Sequence, residues 1–257
     1  MDSILEVENI FFKTKTKKIL KDISFTVKRG EIVGLIGING SGKTTLLKCL
    51  NNLNKITEGN IKIKKISIKK LISNQIAKEI ALMGQNTNLN VEFKCLDIVV
   101  MGRYPHLKSK SNFCEEDYLK ALDYMKLTNT LKFKDKKISN LSGGERQRVL
   151  FSKAITQETD IILLDEPTAS MDLNNQEQLF KICKKIASQN KTIIISTHDL
   201  RVAARYCDKL LLLKDGVKVG FGKVEEVLTK ENIKKAYEID VEIYENPISK
   251  SLDYHIY

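Results

Sequence analysis

Gly37-Ile38-Asn39-Gly40-Ser41-Gly42-Lys43-Thr44 stands between an apolar run, Glu31 to Ile36, and a helical pattern from Lys43 to Asn52. A strand that feeds a glycine-rich loop and then a helix is built to hold phosphate. The loop's backbone N–H groups and the helix dipole both favour negative charge there. Gly37, Gly40 and Gly42 let the chain curl without Cβ clashes. Lys43 can reach the β- and γ-phosphates of a nucleoside triphosphate, and the Thr44 hydroxyl can ligate Mg²⁺.

On either side of this stretch the pattern is that of a mixed fold. Ile80 to Met83, Ile161 to Leu164, Thr192 to Ser196 and Lys209 to Leu213 are short apolar runs between helical patterns, which suits buried parallel strands covered on both faces. Leu5 to Phe12, Ile19 to Val27 and Ile61 to Ile68 alternate or are β-branched and predict an antiparallel layer at the edge. From about Asn86 to Thr156 the strand signal almost vanishes; Leu96 to Gly102, Glu115 to Met125 and Gly144 to Gln157 read as helices inserted into the parallel core. After Gly216 a short amphipathic tail is expected, with Thr229 capping a helix from Lys230 to Tyr237.

The 257 residues suffice for one α/β domain with a sizeable core. No repeat or linker is evident, and no apolar run approaches the roughly 18 residues of a membrane span. The start of the chain has no apolar signal segment, so a cytosolic protein, or one held at a membrane only by partners, is expected. Five cysteines, scattered and never spaced C-x-x-C, read as reduced thiols, and three separated histidines argue against a His/Cys metal site. The net charge is +11, with lysines grouped at 13–21, 62–70 and 126–137. Such charge can serve nucleic acid or an anionic membrane. Aromatics that could stack on bases are not interleaved with the lysines, which favours solvated strand faces and no nucleic-acid partner.

Two further stretches carry chemistry. Ile161-Ile162-Leu163-Leu164-Asp165-Glu166 ends a hydrophobic strand in two acids. In phosphoryl transfer such an Asp holds Mg²⁺ or its water, and Glu166 is placed to polarise the attacking water as a general base. Leu141-Ser142-Gly143-Gly144-Glu145 opens a helix with Ser142 as its cap; plain capping accounts for most Ser-Gly-Gly turns, and the functional alternative is a second anion site at a helix N-terminus.

With these motifs in hand, the chain resembles the ATP-binding cassette (ABC) ATPases over nearly its whole length. The motifs run in family order: Gly37 to Thr45, Gln85, Leu141 to Glu145, Asp165-Glu166, Ser170-Met171-Asp172, and His198-Asp199. The resemblance implies an α/β P-loop NTPase (RecA-like) core with an antiparallel β edge layer and an inserted helical subdomain at about 86–156. The whole of 1–257 would be one ABC ATPase domain, with a C-terminal tail at about 216–257. It also implies two copies packed head to tail, with each ATP between one phosphate loop (Gly37, Asn39, Gly40, Ser41, Gly42, Lys43, Thr44, Thr45) and the other copy's Ser142, Gly143 and Gly144. Gln85 would sense Mg²⁺ and the γ-phosphate, His198 would contact the γ-phosphate, and Asp172 would couple the two sites. Catalysis would rest on Glu166, His198, Gln85 and Lys43, and Mg²⁺ on Thr44, Gln85 and Asp165.

Val99-Val100-Met101-Gly102-Arg103-Tyr104-Pro105-His106-Leu107 and the tail from Gly222 to Glu245 are similar to the importers of iron-siderophore, haem and cobalamin. Zinc and manganese importer ATPases match these stretches less well, and ABC ATPases that act on DNA or the ribosome carry inserted coiled coils or paired cassettes that are absent here. The expected protein is therefore the ATP-hydrolysing subunit of a metal-chelate importer. It would sit peripherally on the cytoplasmic face of the membrane, on an integral permease served by an external substrate-binding protein. Thr14 stands where the family places an aromatic that stacks on adenine, which predicts loose purine selectivity. Glu145, Ile38 and Met171 replace the commoner Gln, Pro and Leu.

Overall fold

The computed structural model describes residues 2–85, 91–107 and 112–257. Its first strands, β1 (Ser3–Lys13) and β2 (Lys18–Lys28), pair antiparallel, and β3 (Ile32–Ile36) leads through the glycine-rich loop into α1 (Lys43–Leu50). Next come β4 (Glu58–Ile63), β5 (Ile66–Ser67), α2 (Ser73–Glu79) and β6 (Ile80–Met83). A helical stretch follows: α3 (Cys95–Val100), a 3₁₀ turn over Met101–His106, α4 (Glu115–Leu127) and α5 (Gly143–Thr156). The chain then alternates through β7 (Ile161–Asp165), α6 (Leu173–Ala187), β8 (Thr192–Ser196), α7 (Leu200–Tyr206), β9 (Lys209–Lys214) and β10 (Val217–Lys223). It ends in α8 (Val224–Val227), α9 (Lys230–Tyr237), β11 (Val241–Glu245) and β12 (Leu252–Ile256).

The central sheet runs β10-β9-β3-β8-β7-β6, parallel from β9 to β6 and antiparallel only at β10. Side chains alternate faces along a strand, and the unbroken apolar runs therefore feed two cores. Val33, Leu35, Ile161, Leu163, Ile194 and Leu211 join the antiparallel sheet β2-β1-β4-β5 and α1. Ile32, Ile36, Ile162, Leu164, Ile193, Ile195 and Leu210 join α5, α6, α7 and α9 on the other face. The helical stretch has a smaller core of its own around Val99, Met125, Phe133 and Val149.

The expected parallel strands and edge layer are present, and Thr229 does cap α9, accepting from the Asn232 amide. Two readings need correction. Ile61 to Ile68 is not one strand: Lys64 and Lys65 both take positive φ (49° and 67°) and turn the chain between β4 and β5. Asn-Gly ordinarily marks such a two-residue turn, and Lys-Lys conceals it. The tail is more than amphipathic helix, since β10 joins the main sheet and β11 pairs with β12. Gly220 and Gly222 dilute the β10 signal. Residues 86–90, where the predicted insertion starts, lie outside the described residues.

The Val99–Leu107 stretch owes its character to packing. Arg103 is buried at 5% exposure; its Nε donates to Asp117 Oδ1 (3.2 Å), and its Nη1 donates to Thr156 O (3.0 Å) and Glu158 Oε2 (2.8 Å). Lys120 and the Tyr124 hydroxyl also donate to Glu158. Burial opposes ionisation of Glu158, yet Lys120 and Arg103 hold its carboxyl below the usual range. One guanidinium thus ties the 3₁₀ turn to α4 and to the end of α5. Arg103→Met, which removes the buried guanidinium from Asp117, the Thr156 carbonyl and Glu158 (the last keeping Lys120), should cost about 2–4 kcal/mol of stability. Urea unfolding would register this as a lower midpoint; an unchanged midpoint would remove Arg103 from that role.

Candidate functional site

β3, β8 and β7 are neighbours in register, Leu35 beside Ser196 and Ser196 beside Asp165, so their carboxyl ends open on one edge of the sheet. Open parallel sheets place their ligands at that edge. The phosphate loop leaves β3 with Gly37 at φ 143°, Gly40 at 80° and Gly42 at 106°. A Cβ on Gly37 would lie 2.2 Å from Leu213 O, so no other residue fits there. Lys43 is 5% exposed and folds back on its own loop, donating to Gly37 O (2.8 Å) and Ile38 O (3.2 Å). Burial pushes its pKa below the ordinary lysine value, while Glu166 and Asp165 push the other way. The ammonium therefore bonds two loop carbonyls within the field of two carboxylates, an arrangement that a triphosphate's oxygens can join or displace.

A cleft of about 760 Å³ lies over this loop, and Asn39, Lys43, Thr44, Thr45, Gln85 and Glu166 line it. Gln85 Nε2 donates to Glu166 Oε2 at 2.8 Å. Asp165 is buried and Glu166 partly so, and Glu166 has φ 47°, a left-handed conformation that costs an L-residue of order 1 kcal/mol. The cleft is also walled by Lys17, Lys18, Ile19, Lys21 and Asp215, with no aromatic ring among its described lining. Thr14 is exposed in the β1–β2 turn. His198 lies two residues beyond β8, exposed at the same edge.

The donors are those a hard cation takes: the Thr44 hydroxyl, the Gln85 amide oxygen and the Asp165 carboxylate. Gln85 spends its N–H on Glu166, which leaves its carbonyl oxygen for a cation. No group of three or more His, Cys, Asp or Glu that could cage a metal exists among the described residues. A Mg²⁺ shared with nucleotide phosphates needs no such cage. The residues therefore fit Mg²⁺ brought in with the nucleotide.

Ser142, Gly143, Gly144 and Asp172 lie elsewhere, lining a second cleft of about 500 Å³ that shares no residue with the first. Ser142 caps α5 through a reciprocal box, its Oγ accepting from Glu145 N (3.3 Å) while Glu145 Oε2 accepts from Ser142 N (3.0 Å). The Glu in place of the commoner Gln thus completes the cap, and the Ser142 amide holds its carboxyl below the usual range. A Cβ on Gly144 would meet Ser170 O at 2.7 Å, so the helix start rests directly on the Ser170–Asp172 turn. Gln147 Oε1 accepts from Ser170 N (3.1 Å), and Asp172 caps α6. One chain thus gathers the phosphate loop, Gln85, Asp165 and Glu166, and keeps the second helix-terminus apart from them.

Sequence reasoning missed Ser196. Its hydroxyl is fully buried, donates to Asp165 Oδ1 (2.8 Å) and accepts from Glu166 N (2.8 Å). The sequence signal was a polar residue closing the otherwise apolar strand Thr192 to Ser196.

The ABC transporter family model matches residues 20–169. An uncharacterised ABC transporter ATP-binding protein of Methanocaldococcus jannaschii is 41% identical over 241 residues, 93% of each chain. The phosphonates import ATP-binding protein PhnC of Fusobacterium nucleatum is 35% identical, covering 93% of this chain and 99% of its own. For the petrobactin import ATP-binding protein YclP of Bacillus subtilis the figures are 34%, 93% and 95%. Relatives named for hemin import (Rhodococcus jostii) and cobalamin import (Halobacterium salinarum) match at 30% and 34% over 95% of this chain, spanning 83% and 61% of their own lengths. Among solved structures, a chain of an ABC transporter assigned to the metal-chelate type, in an inward-facing conformation, superposes at TM-score 0.84 with 28% identity, covering 100% of this chain and 97% of that one. A dimeric post-hydrolysis cassette bound to ADP and phosphate superposes at 0.77 with 29% identity, covering 86% and 98%. The chain belongs to the ABC transporter family, and it is an ATP-binding, ATP-hydrolysing cassette.

Glu166→Gln is expected to lower kcat by about 10²- to 10⁴-fold, the contribution of a positioned base. Phosphate release measures it, and retained turnover would remove Glu166 from that role.

Proposed function

We propose that this cassette is the ATP-hydrolysing subunit of an importer for a metal chelate, an iron-siderophore, haem or cobalamin. One observation carries the pairing on which this rests. The phosphate-loop cleft and the Ser142 cleft each lie at the start of a helix, yet they are separate within one chain. Two copies arranged head to tail would bring each Ser142 terminus onto the γ-phosphate held by the other copy's loop, where the α5 N–H groups and dipole favour negative charge. A related cassette solved as a dimer bound to ADP and phosphate supports the pairing of two copies.

In this reading Lys43 leaves the carbonyls of Gly37 and Ile38 for the β- and γ-phosphate oxygens. Mg²⁺, held by Thr44, Gln85 and Asp165, would neutralise developing charge on the phosphates. Glu166 accepts the proton of the attacking water, oriented by Gln85 on one side and the Ser196 bond on the other. His198 contacts the γ-phosphate from the end of β8, and Asp172 links the two sites through the turn under Gly144. The whole of 1–257 acts as one unit, with a helical subdomain at about 86–156 and a tail at about 216–257.

No helix among the described residues is long and apolar enough to cross a membrane. A separate integral permease would therefore supply the pathway, with this chain peripheral on its cytoplasmic side and an external binding protein delivering substrate. The metal-chelate class rests on the Val99–Leu107 and Gly222–Glu245 stretches and on the relatives named for petrobactin, hemin and cobalamin import. The phosphonate relative favours a second substrate class.

The test is to purify the tagged chain from its native membranes, identify the integral protein that accompanies it, and reconstitute both in liposomes with the cognate binding protein. ATP-driven uptake of ferric siderophore, haem or cobalamin is expected. Uptake of phosphonate alone would move the assignment to the second class, and a nucleic acid in place of a permease would overturn it.

A further inference from the structure

We propose that Ser196 is a positioning residue for hydrolysis, setting the Asp165 carboxylate and the Glu166 backbone together through one hydroxyl. The inference rests on the roles given above to Asp165 and Glu166. A hydroxyl has one proton and two lone pairs. In Ser196 the proton goes to Asp165 Oδ1, and a lone pair receives the Glu166 amide, both at 2.8 Å. The side chain is 0% exposed, so no water can replace either bond without opening the strand pair β7–β8.

Each bond removes a freedom that the chemistry cannot tolerate. With Oδ1 fixed on Ser196, the carboxylate keeps one orientation, and its second oxygen is the one offered to a cation. Glu166 sits at φ 47° immediately before Pro167, a strained backbone that persists only when its surroundings over-determine it. Its amide is tied to Ser196 from the sheet side, and its carboxylate is tied to Gln85 from the cleft side. Because Ser196 lies between Leu35 and Asp165 in register, it also ties the acids to the strand that feeds the phosphate loop. Strand β8 ends at this residue and His198 follows two positions later. The same backbone thus carries the γ-phosphate contact and the bond that aims the base.

A purely structural serine would only satisfy a buried amide, and its loss would lower stability without slowing the folded enzyme. A positioning serine slows the chemical step. Ser196→Ala should lower kcat about tenfold, the worth of one hydrogen bond to a charged group, or about 1.4 kcal/mol. KM for ATP and the affinity for ATP without Mg²⁺ should stay within about twofold, because neither bond touches the nucleotide, while the gain in affinity on adding Mg²⁺ should shrink. Ser196→Thr keeps the hydroxyl and should restore most of kcat.

The experiment measures steady-state ATPase, ATP binding with and without Mg²⁺, and thermal unfolding for Ser196→Ala, Ser196→Thr and Glu166→Gln, with rates expressed per folded molecule. The proposal is overturned by a Ser196→Ala rate within twofold of the native chain. A folded Ser196→Thr chain as slow as the alanine variant overturns it too. If Glu166→Gln itself turns over normally, the reading of the active site fails; if it is inactive while Ser196→Ala runs at full speed, only the role of Ser196 fails.

Discussion

The site depends on one constraint: β3, β8 and β7 are parallel, adjacent and in register, so the segments that leave these strands emerge at the same edge. Leu35, Ser196 and Asp165 lie in one row across the sheet. Beyond that row come the phosphate loop, the His198 turn and Glu166. A slip of one residue in β7 would exchange its two faces and turn the Asp165 side chain to the opposite side. Because β7 is apolar on both faces, the slip is opposed by the packing of its particular side chains in the two cores and by the bond from Ser196 to Asp165, the one polar residue of the strand. Packing energy thereby fixes the coordinates of the chemistry.

Electrostatics then determines what the edge attracts. Lys43 is buried with its ammonium on loop carbonyls and its field shared with Asp165 and Glu166. It remains a buried cation whose present partners are weaker acceptors than phosphate oxygens. The second helix terminus, at Ser142, is exposed and self-capped, with its glycines pressed onto the Ser170–Asp172 turn. Under the proposed pairing, this open terminus meets a phosphate held in another copy.

Much of this was legible in the sequence, for identifiable reasons. The parallel strands were readable because burial on both faces demands unbroken apolar runs such as Leu210 to Leu213. The phosphate loop was readable because its glycines and Lys43 stand between an apolar strand and a helix, whereas a strand ending in Asp165-Glu166 is common in itself and took its meaning from that loop. The β4–β5 turn was hidden because Lys64 and Lys65 take a conformation usually left to Asn and Gly. The β11–β12 pair was hidden because two short strands with charged residues carry little hydrophobic signal. Ser196 was missed for a different reason. Its importance is a contact across strands between residues 31 apart, and one polar residue ending a strand does not announce its partners. Arg103 is similar: only the fold shows that a residue of a distinctive stretch is an internal tie.

The central claim is that ATP is enclosed by two copies, each completing the other's site. Sedimentation velocity on the Glu166→Gln chain, with and without Mg-ATP, tests it most directly when Ser142→Arg is added as a second change. The account predicts monomers without nucleotide, dimers with Mg-ATP, and monomers again once the Ser142→Arg change blocks the shared interface although ATP still binds. A chain that stays monomeric with ATP bound, or that dimerises equally well with and without the Ser142→Arg change, would contradict it.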